Sequence, residues 1–200
     1  MDLQAPIPTV DSSVAMRDLS KYKELRVEAE GIYGGVKGQL DVNKEEFLAA
    51  LENAFYFNMI ISYAQGIHML TQASTEFKYG LNLAEIAKIW RGGCIIRSLF
   101  LQNIYEAFTG NPELQHLLLD KGVANAVKGA VDGARTVVSA VTAAGIAAPC
   151  YAASLSYFDA FRSGRMPSNL IQAQRDYFGA HTYELIGKEG TFHTQWVPKS

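Results

Sequence analysis

Residues Asn43 to Tyr79 read as one unbroken helix, and that stretch limits what the chain can become. Leu48, Leu51, Phe55, Met59, Tyr63, Ile67 and Leu70 recur at steps of three and four residues, the spacing that stacks side chains on one helical face. Phe47, Ala50, Ala54, Phe57, Ile61 and Ala64 form a second stripe beside it. A helix that is apolar over most of its circumference has to be enclosed by other elements. Ala64 and Gly66 are small enough to admit a neighbouring backbone, and Gly80 is expected to end the helix. His68 has no partner at metal-ligand spacing and reads as a packed or surface residue.

The flanking segments supply the enclosure. Pro6-Ile-Pro8-Thr9 reads as an extended entry with Thr9 as N-cap, followed by a helix over Val10 to Glu30. Its basic residues Arg17, Lys21, Lys23 and Arg26 suit a solvated face. The glycine-rich run Gly31 to Gly38 lacks the spacing of a phosphate cradle and follows a helix rather than a strand, so it reads as a flexible connection. Asn82-Leu-Ala-Glu85 resembles a capping box opening a helix that runs through Gly92-Gly93 to about Phe108. Asn111-Pro112-Glu113 should start a short helix. Further helices are expected over 123–144, 150–163 and from Pro167-Ser168-Asn169 onward. No run of alternating strand residues interrupts this series, so the fold class is all-α, with helices packed around the long one. Pro8 to Met16 and Pro149 to Tyr157 share a proline-then-apolar-helix pattern, a hint of internal repetition.

Composition excludes several roles. A net charge of −2 over 200 residues provides no field for nucleic acid. Val137 to Phe158 carries no charge and is long enough to span a bilayer, but Gly145 and Pro149 divide it, which fits two buried helix ends meeting at a turn and no membrane partner. Cys94 and Cys150 lie far apart without a Cys-x-x-Cys pattern, which suits reduced core thiols in a cytoplasmic protein, and no secretory leader opens the sequence. His116 and His193 lack metal-ligand spacing, so no metal site is assigned.

The remaining constraint is Gln172-Ala-Gln-Arg-Asp-Tyr-Phe-Gly-Ala-His181. Arg175 is a permanent cation whose planar fork matches phosphate or carboxylate, and His181 can add a donor beside the same anion. On an unbroken helix the two would lie about 120° apart. Gly179 can adopt the left-handed conformation that ends a helix, letting His181 curl back towards Arg175. From spacing alone, an aromatic helix end with surface charges is the favoured reading of the segment.

This segment, together with Ser62-Tyr-Ala-Gln-Gly66, Trp90-Arg-Gly-Gly-Cys-Ile-Ile-Arg97 and Phe192-His-Thr-Gln-Trp196, resembles the 6-phosphogluconate dehydrogenase family, in the same order and over about Pro6 to Trp196. The resemblance implies the pentose phosphate pathway enzyme that oxidatively decarboxylates 6-phosphogluconate to ribulose 5-phosphate with reduction of NADP. It implies a helical substrate-binding and dimerisation domain over 1–182, a C-terminal arm over 183–200 that threads into the other subunit, and an intertwined homodimer. Arg175 and His181 match family positions that reach the partner's active site and hold the substrate phosphate and nearby hydroxyls. Arg17, in Ala-Met-Arg-Asp-Leu-Ser, matches a phosphate arginine supplied by the subunit that owns the site. Ile95 and Ile96 are expected along the pocket wall, although ordinary core packing explains them equally well. The family's NADP-binding Rossmann domain and its catalytic Lys and Glu precede the matching region, so no catalytic or cofactor-binding residue is assigned and the 200-residue chain is expected to be inactive alone. The alternative from a different class is a non-enzymatic helical interaction module on the same scaffold.

Overall fold

The computed structural model describes residues 3–36 and 38–196. They form eight α-helices and one short two-stranded hairpin, confirming an all-α chain. The helices are α1 (Pro8–Ser20), α2 (Lys23–Tyr33), α3 (Lys44–Phe77), α4 (Leu83–Arg91), α5 (Leu101–Gly110), α6 (Lys121–Ala143), α7 (Pro149–Phe161) and α8 (Asn169–Gly179). The hairpin pairs β1 (Tyr183–Glu184) with β2 (Thr191–Phe192) in antiparallel register. Residues 1–158 and 159–200 make two compact units.

The first unit is built on α3. Asn43 caps it, its side chain accepting a hydrogen bond from Glu46 N at 3.1 Å. The second apolar stripe does most of the burying: Ala54, Phe57, Ile61 and Ala64 are sealed, with Ile60 and Ile67 joining them. Leu48 and Phe55 of the first stripe remain exposed. Helix α6 lies along α3 and contributes Val123, Val127, Ala130, Ala134 and Val137 at helical spacing. Leu101 and Ile104 of α5 complete the core, and Phe57 meets Phe158 edge-on at 5.5 Å.

The close helix approach is at Gly133 rather than at Gly66. A Cβ at 133 would stand 2.5 Å from Asn53 Cβ and 2.8 Å from the Ala50 carbonyl oxygen, whereas one at Gly66 would meet nothing within 4 Å. The missing Cβ therefore sets how closely α6 sits on α3.

Several helix ends differ from expectation. The Val10–Glu30 helix is two helices, because Tyr22 takes φ −90°, ψ 56° and the chain closes on itself through Lys21 N to Asp18 O. Thr9 is not the N-cap. Pro8 occupies the first turn, where its missing N–H is no loss, and Thr9 turns inward. Its N–H donates to Gln65 Oε1 at 3.1 Å, Gln65 Nε2 donates to Thr9 Oγ1 at 3.0 Å, and that hydroxyl meets Ser154 Oγ at 2.8 Å. Ser154 also donates to Asn58 Oδ1. The two proline-initiated helices thus meet through a buried polar network in which each member supplies what another lacks.

Gly92-Gly93 end α4 instead of lying inside a longer helix. Gly93 takes φ +157°, and residues 92–100 turn irregularly before α5. Asn82 does cap α4, accepting from Glu85 N at 3.1 Å. Lys78, not Gly80, takes the left-handed conformation that ends α3. Asn111-Pro112-Glu113 form a turn, and the helical piece after it is a 3-10 turn over Leu117–Leu119. The uncharged Val137–Phe158 stretch divides as expected: α6 closes with Ile146 N on Val141 O at 2.8 Å, Gly145 takes φ 70°, and α7 starts at Pro149. No helix among the described residues is long and apolar enough to cross a membrane. Residue 37 of the glycine-rich connection lies outside the described residues; α2 reaches into that run as far as Tyr33. Cys94 and Cys150 are free and half-buried rather than in the core.

His116 is buried beside His68, ring centroids 5.1 Å apart. Its Nδ1 accepts from Leu118 N at 3.2 Å, so the neutral ring carries its proton on Nε2 and donates to the Tyr157 hydroxyl at 3.0 Å. Burial, with the nearby His68, pushes its pKa down to about 4.

Two outcomes follow for the first unit. Gly133→Ala should lower unfolding stability in urea by about 1–3 kcal/mol, since α6 must move away from α3; unchanged stability would show that the contact yields freely. The unfolded chain takes up the His116 proton below its ordinary value of 6.5, while the folded chain resists until about 4. Stability should therefore fall as pH drops through that window, and His116→Gln should flatten the fall in a melting-temperature series.

Candidate functional site

The segment carrying Arg175 and His181 lies in the second unit, at the C-terminal end of α8. Helix α8 ends where Ala180 takes φ 50°, ψ 40° and donates its N–H to Asp176 O at 2.9 Å. Gly179 keeps helical geometry, so the left-handed step expected of it falls one residue later. Thr182 takes φ 57° as well, and the two left-handed residues fold the chain back.

The curl still depends on Gly179, for a different reason. A Cβ built there would stand 2.9 Å from His181 Nε2 and 3.0 Å from its Cδ2. The imidazole occupies the space that a side chain would fill. Positions 175 and 179 are one turn apart on one helix face, and a Cβ vector points towards the N-terminal turn. His181 is consequently laid over the face that bears Arg175. Arg175 and His181 are both exposed, and neither has a hydrogen-bonding or ionic partner among the described residues.

Asp176, adjacent to Arg175, does not neutralise it. Its carboxylate is sealed from solvent and turned to the other side of the helix. Oδ1 accepts from Thr182 N at 3.0 Å and His193 Nδ1 at 2.9 Å. Oδ2 accepts from Thr194 N at 3.0 Å and Trp196 Nε1 at 2.9 Å. Burial by itself would raise this carboxyl. The hydrogen bonds from Thr194, His193 and Trp196, with the His193 charge, win and hold it down at about 2. Thr182 is gripped twice, because Gln172 Nε2 donates to its carbonyl oxygen at 2.5 Å. The aromatic tail thus closes on its own helix as far as Trp196, with Tyr177 edge-on to the indole at 6.0 Å.

Arg17 lies in the first unit, exposed on the last turn of α1; Ser20 Oγ donates to its carbonyl oxygen at 2.6 Å, and its guanidinium has no partner among the described residues. Ile95 is fully exposed and Ile96 exposed, on the irregular stretch after α4. A cleft of about 790 Å³ in the first unit is lined by Thr71, Asn82, Glu85, Tyr105, Glu113 and Gln115 among others, with no Lys or Arg, so its charge disfavours an anion. Among the described residues no three His, Cys, Asp or Glu side chains gather at a metal-binding distance.

Asp176 and Gln172 are the residues that sequence reasoning passed over. Their one signal is spacing: four apart on a helix, they share a face opposite the returning chain.

These features describe an all-α domain that presents an unpaired guanidinium and an imidazole on one helix face, with a buried carboxylate beside them that binds the returning chain. The family described as 6-phosphogluconate dehydrogenase, C-terminal domain, matches residues 1–196, and the chain belongs to that family. A Bacillus subtilis relative, an NADP(+)-dependent decarboxylating 6-phosphogluconate dehydrogenase, is 46% identical over 198 residues, covering 98% of this chain and 42% of its own length. The human decarboxylating enzyme is 48% identical over 199 residues, with 98% and 41% covered. A Plasmodium falciparum 6-phosphogluconate dehydrogenase, solved in apo form, with its cofactor NADP+ and with its substrate, superposes with a TM-score of 0.90 at 42% identity over 96% of this chain and 42% of that one. The chain spans about two fifths of the length of these relatives. An unrelated interaction module on the same scaffold is not favoured.

As pH falls, Asp176 should release the tail. Its folded value lies below the ordinary 3.8, so its contribution is complete above 3.8 and disappears as pH drops from there towards about 2. The indole N–H resonance of Trp196 should move towards its free position across that window. A resonance unchanged down to the lower limit would contradict the assigned hydrogen bond.

Proposed function

We propose that this chain is the substrate-binding and dimerisation part of a cytoplasmic 6-phosphogluconate dehydrogenase of the pentose phosphate pathway. Residues 1–182 form its helical domain and 183–200 its C-terminal arm. The substrate is 6-phosphogluconate, whose phosphate is held by Arg175 and His181 of one subunit together with Arg17 of the other. The observation that carries this reading is the return of His181 over the helix face of an unpaired Arg175. A guanidinium and an imidazole on one face make charge-assisted hydrogen bonds to a phosphate, the strongest polar contacts available to either.

An unpartnered apolar surface supports the homodimer. Helix α2 buries none of its residues, although Leu25, Ala29, Ile32 and Tyr33 follow one helical stripe. Leu48 and Phe55 on α3 are similarly uncovered. Exposed apolar surface of this kind is suited to association.

NADP does not fit the residues described. The Gly31–Gly38 run follows a helix, the only strands described are the two of the hairpin, and no βαβ unit carries a dinucleotide fingerprint. In this reading NADP would be held by a Rossmann domain of the complete enzyme, where it would supply the redox chemistry. What the chain itself contributes is grip and orientation of the sugar acid.

The test is a chimera in which this chain replaces the matching part of the Bacillus subtilis relative. The chimera should reduce NADP with 6-phosphogluconate. Arg175→Ala should raise KM for the substrate at least tenfold, because a lost hydrogen bond to a charged group costs roughly 1.5–3 kcal/mol. An active chimera whose KM ignores Arg175→Ala contradicts the phosphate assignment.

A further inference from the structure

We propose that Gln172 and Asp176 are positioning residues for substrate binding, acting through His181: together they clamp the backbone on both sides of the Thr182 Cα and so hold the imidazole over the Arg175 face. The inference rests on the reading that Arg175 and His181 bind the substrate phosphate. Its own evidence is geometric. Both polar groups of the Thr182 backbone end on α8 side chains one turn apart, the N–H on Asp176 Oδ1 at 3.0 Å and the carbonyl on Gln172 Nε2 at 2.5 Å. Thr182 is the residue after His181 and holds a left-handed φ of 57°, which a β-branched residue adopts only when its surroundings enforce it. The clamp is that enforcement. Fixing the peptide units on both sides of the Thr182 Cα restrains the backbone that carries His181, whose ring lies in the gap left by Gly179.

The same carboxylate has a second duty that must be separated from the first. Oδ2 binds Thr194 N and Trp196 Nε1, which belong to the tail, and His193 shares Oδ1 with Thr182. Gln172 donates to the turn and to nothing in the tail. Gln172→Met therefore removes half of the clamp with side-chain volume nearly kept and the tail anchors intact. Trp196→Phe does the reverse: it deletes a tail anchor and leaves the clamp. In Asp176→Asn one oxygen remains and the amide nitrogen would face N–H donors at the other position, so that variant does not separate the two duties.

The experiment is calorimetric titration of 6-phosphogluconate into the chimera carrying this chain and into its variants, with inorganic phosphate as a second titrant. Gln172→Met should weaken 6-phosphogluconate binding roughly tenfold, and Trp196→Phe by less than about twofold. In a His181→Ala background Gln172→Met should add less than about twofold, because a residue that acts through the imidazole has nothing left to position. Helical circular dichroism should match wild type for Gln172→Met; if it falls, Gln172→Glu, which keeps length and volume but presents an acceptor to the Thr182 carbonyl, serves as the second variant with the same expected loss. Equal losses from Gln172→Met in the wild-type and His181→Ala backgrounds would overturn the positioning role while leaving the phosphate site standing. A chimera with the unaltered chain that binds neither titrant would overturn the phosphate site and this inference with it.

Discussion

A carboxylate shut away from water must be met by donors on every lone pair, and Asp176 meets that demand with residues from the far side of a turn. Its two oxygens take four hydrogen bonds, from Thr182, His193, Thr194 and Trp196. Leaving even one of those positions empty would strand a charge in a dry site, so the chain after α8 has little choice of path. It steps through two left-handed residues, returns past the helix end, pairs β1 with β2 and delivers the indole to the carboxylate. Arg175 is the indirect beneficiary. Because Asp176 is engaged on the inner side, the neighbouring guanidinium keeps its full charge for a ligand.

The first unit solves a different problem by comparable means. Its long helix α3 is sealed mainly by apolar contact with α6 and α5, which is permissive about alignment. Specific alignment comes from two local features. Gly133 lets α6 come down onto the Ala50 carbonyl, and the Thr9–Gln65–Ser154–Asn58 network ties the start of α1 and the middle of α7 to the middle of α3. A polar network of that kind is satisfied in one arrangement and penalised in others, so it selects a register that greasy surfaces would leave open.

How much of this was readable beforehand depends on how far apart the interacting residues lie. The α3 helix, the divided Val137–Phe158 stretch and the Asn82 cap are local patterns, and they stand as read. The break at Gly92-Gly93 had a local signal in its two glycines, which a continuous helix would have had to tolerate, whereas the break at Tyr22 had none, lying among exposed residues that suit a continuous helix. At the site, Arg175 and His181 stood out as chemistry-bearing side chains, and the need for Gly179 beside them was visible. Its use was not: the glycine makes room for a ring, and Ala180 takes the strained dihedral. Asp176 was hidden for the plainest reason. Its donors lie between six and twenty residues downstream, where no periodicity connects them.

The account turns on one claim, that a phosphate is held where His181 lies over the Arg175 face. A crystal structure of the assembled enzyme carrying this chain, with 6-phosphogluconate bound, examines it directly. The account predicts phosphate oxygens within hydrogen-bonding distance of both the Arg175 guanidinium and the His181 imidazole. A phosphate bound elsewhere, with Arg175 left in solvent and Asp176 still fully hydrogen-bonded, would contradict it.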